Sequence, residues 1–432
     1  MNLKPITHSF LVLFLTISSL LAFPLDLFAE TVTTPDDFSI EAKAALAVDM
    51  QTGIILYEQQ SEERMPVASI TKLLSLYLVQ QTIANGELSW DDNVTISSDI
   101  ATLSQNLALS NVILEAGETY TVEELFETAV ILSANAATVA LAELVAGSEF
   151  AFVDLMKEQL TTWGITDFVL VNSTGLNNED MTTPLYPSSN PTDENEFTAK
   201  DIAIITRHLL QDFPETLNYT NKASAVFESK SGGPATMYST NWLLAGMPYE
   251  KSGVDGLKTG TTDLAGPSFV GTIEKDGRRV ITVLLNAETS EARFSETSRL
   301  MDYAYNQWAY QTILNAGDEI PSVSPVEVLE GKEEAVSVIV NEELTALLPI
   351  ASEPFDFRYT LLFDDSSTKL KAPIAKNQAL GEVQVQLPAD SLVYLEESDR
   401  EAALIANTTT FYANNAVERA NFFVRLWRQL FD

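Results

Sequence analysis

The stretch PVASITKLLSLYLVQ, from Pro66 to Gln80, places a serine and a lysine three residues apart where an apolar run begins. The run has no polar face, so it predicts a buried helix from Ser69 to Gln81. Residues three apart share one face of a helix, and Lys72 can therefore fold back towards Ser69. Two interpretations are open: Ser69 caps the helix, or it is a nucleophile with Lys72 as its base. The spacing alone favours the cap, because a lysine serves as a base only when burial or a neighbouring cation lowers its pKa.

The composition excludes several classes of partner and of active site. The chain has 432 residues, 46% of them hydrophobic, and a formal net charge of -36 from 61 acidic and 25 basic side chains. Such a charge repels phosphate groups, so nucleic acid is not an expected partner. Because the sequence contains no cysteine, a disulfide framework, a thiol nucleophile and a thiolate zinc site are excluded. We expect neither a metal nor a cofactor.

Histidine is nearly as scarce, since the sequence contains only His8, near the N-terminus, and His208. A histidine-rich metal site is therefore excluded, and a Ser-His-Asp triad could use only His208. His208 lies near the end of an amphipathic helix predicted from Thr198 to Leu210, where the favoured interpretation is a cation at the helix C-terminus. Lysine is then the natural alternative as the base for a serine.

Residues 1–29 have the pattern of a secretory signal peptide. Lys4 precedes an apolar stretch from Phe10 to Phe23, and Pro24 follows this stretch before the small residue Ala29. The alternative, an uncleaved anchor helix, requires about 20 apolar residues, which is more than this stretch contains. We therefore predict that the protein is exported and cleaved near Ala29.

The following residues are predicted to form an α+β catalytic domain, residues 36–312, and a small all-β domain, residues 322–396. In the first, a hairpin precedes several helices, and three strands follow with a turn at Lys275–Gly277. A helix from Phe294 to Trp308 closes this part. The order predicts an antiparallel sheet with helices packed on it. After Pro321 the segments become short and β-like, which indicates a separate domain.

Residues 411–432 are predicted to form an amphipathic helix with aromatic residues on its apolar face. Arg419, Arg425 and Arg428 against Glu418 and Asp432 give this segment a local charge of +1 in an acidic protein. A helix of this kind can lie in the interface of a bilayer, and we expect it to anchor the protein to a membrane surface. The alternative is a helix that docks on the core of the protein itself.

Two further polar clusters could supply what a lysine base requires. The pattern SxN occurs four times and K(S/T)G three times, so spacing alone does not choose among them. Ser133-Ala134-Asn135 interrupts two apolar helices, where buried polar side chains need partners. Lys258-Thr259-Gly260 lies on a predicted strand, where Gly260 allows another backbone or a ligand to approach closely. The other copies lie in polar or loop-like surroundings.

The ordered set SITK, SAN and DGLKTGTTDLAG is similar to the motifs of the serine penicillin-recognising enzymes. Within that superfamily the chain resembles the D-alanyl-D-alanine carboxypeptidases, the penicillin-binding proteins of low molecular mass. AALAVDMQTGIILYEQ, NSTGL at Asn172–Leu176 and ARFSETSRLMDYAY from Ala292 extend the resemblance, which covers nearly all of the mature chain. It implies a β-lactamase/transpeptidase-like fold for the catalytic domain.

The resemblance also implies a role for each site residue. Ser69 would be the acylated nucleophile and Lys72 its base, while Ser133 would bridge the two lysines and pass the proton to the leaving amine. Asn135 would bind Lys72 and the substrate amide, and Lys258 would hold positive charge in the site. Thr259 and Arg293 would receive the terminal carboxylate, for which the guanidinium geometry is suited. The oxyanion hole would use the backbone N–H groups of Ser69 and Thr261.

The implied reaction removes the last D-alanine from the pentapeptide stems of peptidoglycan, on the outer face of the plasma membrane, with β-lactams as covalent inhibitors. The sequence lacks the ExxLN loop that carries the deacylating glutamate of class A β-lactamases, and its middle motif is SAN rather than SDN. We therefore expect a stalled acyl-enzyme with penicillin rather than fast hydrolysis. A transpeptidase, a β-lactamase and an inactive wall-binding protein are the alternatives.

Overall fold

The computed structural model describes residues 38–431 except 231–232, 351–354, 364–368 and 388–391, and these residues belong to one compact unit. The predicted signal peptide lies outside the described residues. In the first part the strands are β1 (Ala42–Asp49), β2 (Ile55–Gln59), β3 (Met65–Pro66), β4 (Asn93–Thr95), β5 (Thr119–Thr121), β6 (Glu196–Phe197), β7 (Ser224–Ser229), β8 (Gly233–Tyr238), β9 (Val254–Gly260), β10 (Ser268–Lys275) and β11 (Arg278–Ala287). Its helices are α1 (Lys72–Ala84), α2 (Ser98–Ser104), α3 (Val122–Ile131), α4 (Asn135–Ala146), α5 (Glu149–Thr162), α6 (Ala199–Asp212), α7 (Leu217–Thr220) and α8 (Ser290–Gln307).

The centre of this part is an antiparallel sheet in the order β2-β1-β11-β10-β9. The first strand pairs with the last one, since Ala42 lies opposite Ala287 and Asp49 opposite Val280. The β10–β11 turn has Asp276 and Gly277 at positive φ, as a two-residue hairpin requires. Helices α6 and α8 pack on the sheet, which confirms the predicted α+β fold.

Helix α1 confirms the predicted burial but not the predicted start. Its residues from Lys72 to Gln80 are buried around the whole circumference, because helices α4, α5 and α6 surround it. The α-helix begins at Lys72, and Ala68–Thr71 before it form a 3-10 turn in which Ser69 makes no capping hydrogen bond. The interpretation of Ser69 as a helix cap is therefore wrong.

The sequence pattern also predicted where helices α6 and α8 begin. Helix α6 begins with the predicted capping box, in which Thr198 and Asp201 satisfy each other's backbone N–H groups. Helix α8 begins at Ser290 rather than at Phe294, because Thr289 caps it through the N–H of Ala292. Arg293 consequently lies in the first turn of the helix.

The second part is mainly β. Its elements are β12 (Trp308–Leu314), β13 (Val326–Leu329), β14 (Ala335–Val336), β15 (Val338–Val340), β16 (Leu344–Pro349), β17 (Arg358–Phe363), β18 (Leu370–Lys371), β19 (Ala379–Gln386), α9 (Glu397–Ala406), β20 (Thr408–Ala413) and α10 (Phe422–Phe431). Strand β20 lies between β15 and β19, with Phe411 fully buried. The predicted helix over 411–432 is thus too long, because its first residues complete a sheet. The domain limits at residues 312 and 322 stay predictions.

Helix α9 joins the second part to the first. Arg207 on α6 contacts Asp399 at 2.7 Å and Glu396 at 3.3 Å, and both members of the shorter pair are almost fully buried. The backbone N–H of Leu395 donates to the carbonyl of Gly53 in the β1–β2 turn. These contacts fix the start of α9 against the catalytic part.

Among the described residues no single helix has the length and apolar character needed to cross a membrane. Helices α4 and α5 reach that criterion only as a pair, which bends by 81° between them.

Candidate active site

The backbone of β9 packs closely against the turn that carries Ser69. Ala68, just before the serine, has a positive φ of 50°, which is uncommon for a residue with a side chain. Gly260 on β9 packs against this turn, since a Cβ at Gly260 would lie 2.4 Å from the carbonyl oxygen of Val67. The close approach predicted at Gly260 is thus made by the backbone next to the nucleophile.

Lys72 is fully buried, and its amino group has three oxygen neighbours. Nζ lies 2.8 Å from Ser69 Oγ, 2.7 Å from Asn135 Oδ1 and 2.9 Å from the carbonyl oxygen of Thr174. Burial, and then the charge of Lys258, hold the pKa of Lys72 well below its ordinary value. Both conditions for a lysine base are therefore met.

Three oxygen neighbours can accept the three N–H bonds of an ammonium group, and it is the lowered pKa of Lys72 that favours the neutral amine. A neutral lysine has two N–H bonds and one lone pair, and it needs two acceptors and one donor. The amide oxygen of Asn135 and the carbonyl oxygen of Thr174 can only accept, so they take the two N–H bonds. The lone pair is left for the hydroxyl of Ser69, which is the arrangement that activates a serine.

The SAN segment occupies the break between α3 and α4. Ser133 has a φ of 64° and is buried, and among the described residues its hydroxyl has no hydrogen-bond partner. The implied bridge from Ser133 to both lysines is therefore not formed here. Asn135 is fixed by Ser110, whose carbonyl oxygen accepts from the Asn135 side chain and from its backbone N–H.

Lys258 lies on β9 and is also buried. Its Nζ donates to the carbonyl oxygen of Thr259 at 3.1 Å. Burial, and then the charge of Arg293, lower the pKa of Lys258 to about 7. Lys258 can thus carry a positive charge at neutral and lower pH, close enough to act on Lys72.

Arg293 reaches the end of β9, but its nearest threonine is not the expected one. Its Nη1 donates to Thr261 Oγ1 at 3.0 Å, whereas the Thr259 hydroxyl contacts Thr240 at 2.7 Å. Burial lowers the pKa of Arg293 to about 10 against the opposing effect of the Glu291 charge, and within the described part of the chain its guanidinium forms no ion pair. An unpaired, buried cation is a suitable partner for a carboxylate from a substrate.

The loop Asn172–Leu176 contributes to the site in a way that the sequence pattern did not assign. Thr174 supplies the carbonyl that holds Lys72, and Asn172 orders the loop by accepting from the N–H groups of Thr174 and Gly175. A Cβ at Gly175 would lie 1.8 Å from the carbonyl oxygen of Ala68. An asparagine with a glycine three residues later was the available signal for a tight loop, but not for the segment that the loop contacts.

Asn195 ties this loop to the nucleophile turn. Its side chain donates to Thr71 Oγ1 and to the carbonyl of Asn172, and its backbone carbonyl accepts from the N–H of Val67. Asn195 is completely buried, and no motif in the sequence indicated it.

Comparison with known proteins gives a consistent result for both parts of the chain. Residues 29–289 match a family model described as D-alanyl-D-alanine carboxypeptidase, and residues 308–419 match one described as penicillin-binding protein 5, C-terminal domain. The D-alanyl-D-alanine carboxypeptidase DacF of Bacillus subtilis is 27% identical over 84% of this chain and 87% of its own length. DacC of Escherichia coli is 27% identical over 92% of this chain and 89% of its own.

Solved structures are similar to most or to part of the chain. A peptidoglycan synthesis regulatory factor (PBP3) from Streptococcus pneumoniae is 38% identical, with a TM-score of 0.69 over 88% of this chain and 100% of that one. Penicillin-binding protein D2 from Listeria monocytogenes, solved with bound ampicillin, is 31% identical, with a TM-score of 0.50 over 62% of this chain and 99% of its own.

Proposed function

This chain belongs to the D-alanyl-D-alanine carboxypeptidase family, and from that premise we propose how its residues perform the serine carboxypeptidase reaction on peptidoglycan. Ser69 Oγ attacks the carbonyl carbon between the two terminal D-alanines, and neutral Lys72 accepts the serine proton. The tetrahedral intermediate collapses to an ester on Ser69. Ser133 passes a proton to the amine of the departing D-alanine and receives the proton held by Lys72, so Lys72 is neutral again and can accept a proton from the hydrolytic water. Water then hydrolyses the ester.

The observation that carries this mechanism is the environment of Lys72. Its pKa is depressed by burial and by Lys258, and two acceptor oxygens direct its lone pair towards Ser69. Ser133, in the break between α3 and α4, has a buried hydroxyl with no partner among the described residues, which supports a role for it once substrate is bound.

The rest of the site suits a substrate that ends in a carboxylate. We assign the carboxylate to Arg293 and Thr259, and the carbonyl oxyanion to the backbone N–H groups of Ser69 and Thr261. Lys258 adds positive charge near both, and Asn135 can contact the substrate amide while it holds Lys72. The Listeria relative binds ampicillin, and we propose that β-lactams acylate Ser69 in the same way.

Mass spectrometry tests the enzyme and its rivals together. The wild-type protein should gain the mass of one penicillin and release D-alanine from a D-Ala-D-Ala peptide, and Ser69→Ala should do neither. Wild-type protein that gains no mass and releases no D-alanine would contradict the proposal and favour an inactive wall-binding protein. Rapid penicillin turnover would indicate a β-lactamase, and transfer to an amine acceptor would indicate a transpeptidase.

We also propose that the protein is exported and that α10 anchors it to the outer face of the plasma membrane. The apolar side chains of this helix point away from the protein, with Phe423 80% exposed and Trp427 64% exposed. Arg425 and Arg428 point inward to Glu330 and Glu334 of the β domain. The helix therefore docks through its polar side, which supports a bilayer as the partner of its apolar side.

The same contacts suggest which membranes it can use. Lys371, Arg419 and Arg425 surround Glu330, and together they lower its pKa to about 2. The two arginines of the helix itself, Arg425 and Arg428, are paired with carboxylates of the β domain, so we expect apolar burial to contribute most of the binding. We expect the protein to float with neutral phosphatidylcholine vesicles at both low and high salt.

Deletion of residues 422–432 tests the anchor, because a longer deletion from Phe411 would remove strand β20. The shortened protein should stay active and no longer float with vesicles. Trp427→Glu is the milder variant, and Glu418→Gln, on the segment before the helix, is the control. Vesicle binding that survives the deletion would contradict the anchor, and binding that vanishes at high salt would contradict its apolar character.

A further inference from the structure

A buried carboxylate lies behind the catalytic lysine and takes no part in the reaction described above. Glu149 is the first residue of α5 and is 5% exposed. Its two oxygens accept from the backbone N–H of Ser173 at 2.7 Å and from the Ser173 hydroxyl at 2.9 Å. A buried carboxylate is costly without such partners, so its presence calls for a physical reason.

The contacts of Ser173 lead directly to Lys72. Its carbonyl oxygen accepts from the hydroxyl of Ser75 at 2.6 Å, and Ser75 lies on α1 three residues after Lys72. The next residue, Thr174, supplies the carbonyl that accepts from Lys72 Nζ. Two consecutive carbonyls of the loop thus face one side of α1, and Glu149 holds the segment from behind.

We propose that Glu149 is a positioning residue for the reaction: it fixes the Ser173–Thr174 segment so that the Thr174 carbonyl holds one N–H of Lys72 and leaves the lone pair for Ser69. The inference rests on Lys72 as the base of the proposed mechanism. Without Glu149, the buried N–H and hydroxyl of Ser173 lose their acceptor, and the segment is expected to move to find another. The lysine can then rotate away from the serine.

Hydrogen bonding, rather than charge, explains the choice of side chain. Burial raises the pKa of Glu149 to about 7, against the contribution of the Ser173 hydrogen bonds. A protonated carboxyl can still accept from the backbone N–H and donate to the Ser173 hydroxyl, which can act either way. Glutamine offers the same pair of groups in the same shape, so Glu149→Gln should preserve the position of Thr174.

The test measures acylation by benzylpenicillin and separates binding from chemistry. The concentration dependence of acylation yields the dissociation constant of the non-covalent complex and the rate constant of ester formation. Glu149→Ala should lower the rate constant about 10- to 100-fold, as expected for a misplacement of about 1 Å or less, and leave the dissociation constant nearly unchanged. Glu149→Gln should retain the wild-type rate constant within about threefold.

A double-mutant cycle tests whether Glu149 acts through the loop. Ser75→Ala removes the other support of Ser173 and should also slow acylation. The double variant with Glu149→Ala should lose less than the product of the two single effects, because both act on one segment. Glu158→Ala removes an exposed carboxylate from the same helix, α5, and serves as the control.

Three results would overturn the inference. Glu149→Ala could acylate at the wild-type rate, or it could weaken the non-covalent complex as much as it lowers the rate constant of ester formation. The third result is a rate constant for Glu149→Gln as low as that for Glu149→Ala. If Glu149→Ala fails to fold, the acylation rates of Glu149→Gln and Ser75→Ala decide. Rapid acylation by Ser75→Ala together with slow acylation by Glu149→Gln would contradict positioning through the loop. Lys72→Met separates this inference from the mechanism. If Lys72→Met still acylates rapidly, Lys72 is not the base and the proposed mechanism fails. If Lys72→Met acylates slowly while Glu149→Ala acylates at the wild-type rate, only the role of Glu149 is rejected.

Discussion

Replacing Gly175 by alanine should disable the active site without touching a catalytic side chain. Gly175 lies in the loop over the nucleophile turn, with a φ of 78°. A Cβ there would lie 1.8 Å from the carbonyl oxygen of Ala68 and 2.8 Å from Thr71 Oγ1. Real Cβ atoms do not approach other atoms within 3.0 Å, so the two backbones must separate by roughly 1 Å. The carbonyl that has to move belongs to the residue before Ser69.

The size of the effect follows from this displacement. A misplacement of about 1 Å at a reacting group costs on the order of 100-fold in rate. The left-handed backbone adds about 1–2 kcal/mol of conformational strain for alanine, and overpacking adds about 1–3 kcal/mol. We therefore expect Gly175→Ala to acylate about 100-fold more slowly and to lose about 2–5 kcal/mol of unfolding free energy.

Gly147→Ala is the matched control. Gly147 ends α4 with a φ of 79°, and a Cβ there meets no atom within 4 Å. It shares the conformational strain of Gly175 but not the collision, so it should lose only about 1–2 kcal/mol and acylate at the wild-type rate. Urea unfolding and stopped-flow acylation with a fluorescent penicillin measure both quantities. Equal acylation rates in the two variants would refute the collision as the cause.

Two further predictions concern charges. Lys258→Met should move the acidic limb of the acylation rate to higher pH, because a cationic Lys258 lowers the pKa of Lys72 and its removal lets the lysine base take a proton more readily; an unmoved limb in the pH profile would contradict this. Asp399→Ala removes the nearest carboxylate of the buried Arg207 while Glu396 remains at 3.3 Å, and it should cost about 1.5–3 kcal/mol in urea unfolding. Glu62→Ala, which breaks an exposed pair, should cost less than about 1 kcal/mol, and equal costs would show that burial of the pair does not matter.

Much of the fold could be predicted because its signals are local. The apolar run after Lys72, the capping box at Thr198 and the hairpin turn at Asp276 each act within a few residues, and each is present in the structure. The predicted terminal helix began at Phe411, which lies in strand β20, because an apolar residue is compatible with a buried strand as well as with a helix. The pairing of β20 with β15 and β19 determines that this segment is a strand, and the spacing of apolar residues does not reveal that pairing.

In the candidate site, too, contacts between residues close in sequence could be predicted and contacts between distant segments could not. Ser69 and Lys72 are three apart, so their proximity could be predicted, while the convergence of Lys258 was inferred from a resemblance. Thr174 acts through its backbone carbonyl, which every residue possesses, and Glu149 acts through the backbone of Ser173. Positioning by main-chain atoms leaves little trace in side-chain motifs, and for that reason both were missed.

The pairing of β1 with β11 determines when the catalytic part can fold. These neighbours in the sheet are separated by almost the whole length of that part, so the central ladder cannot form until Ala287 has been synthesised. At about 5–20 residues per second, the interval between the two strands is roughly 10–50 s. The other pairings of this sheet, β1–β2, β9–β10 and β10–β11, join strands that are neighbours in sequence, so only the β1–β11 ladder has to wait. The β1–β2 hairpin therefore has to wait for its partner strand, and the catalytic part cannot close while its own chain is still being made.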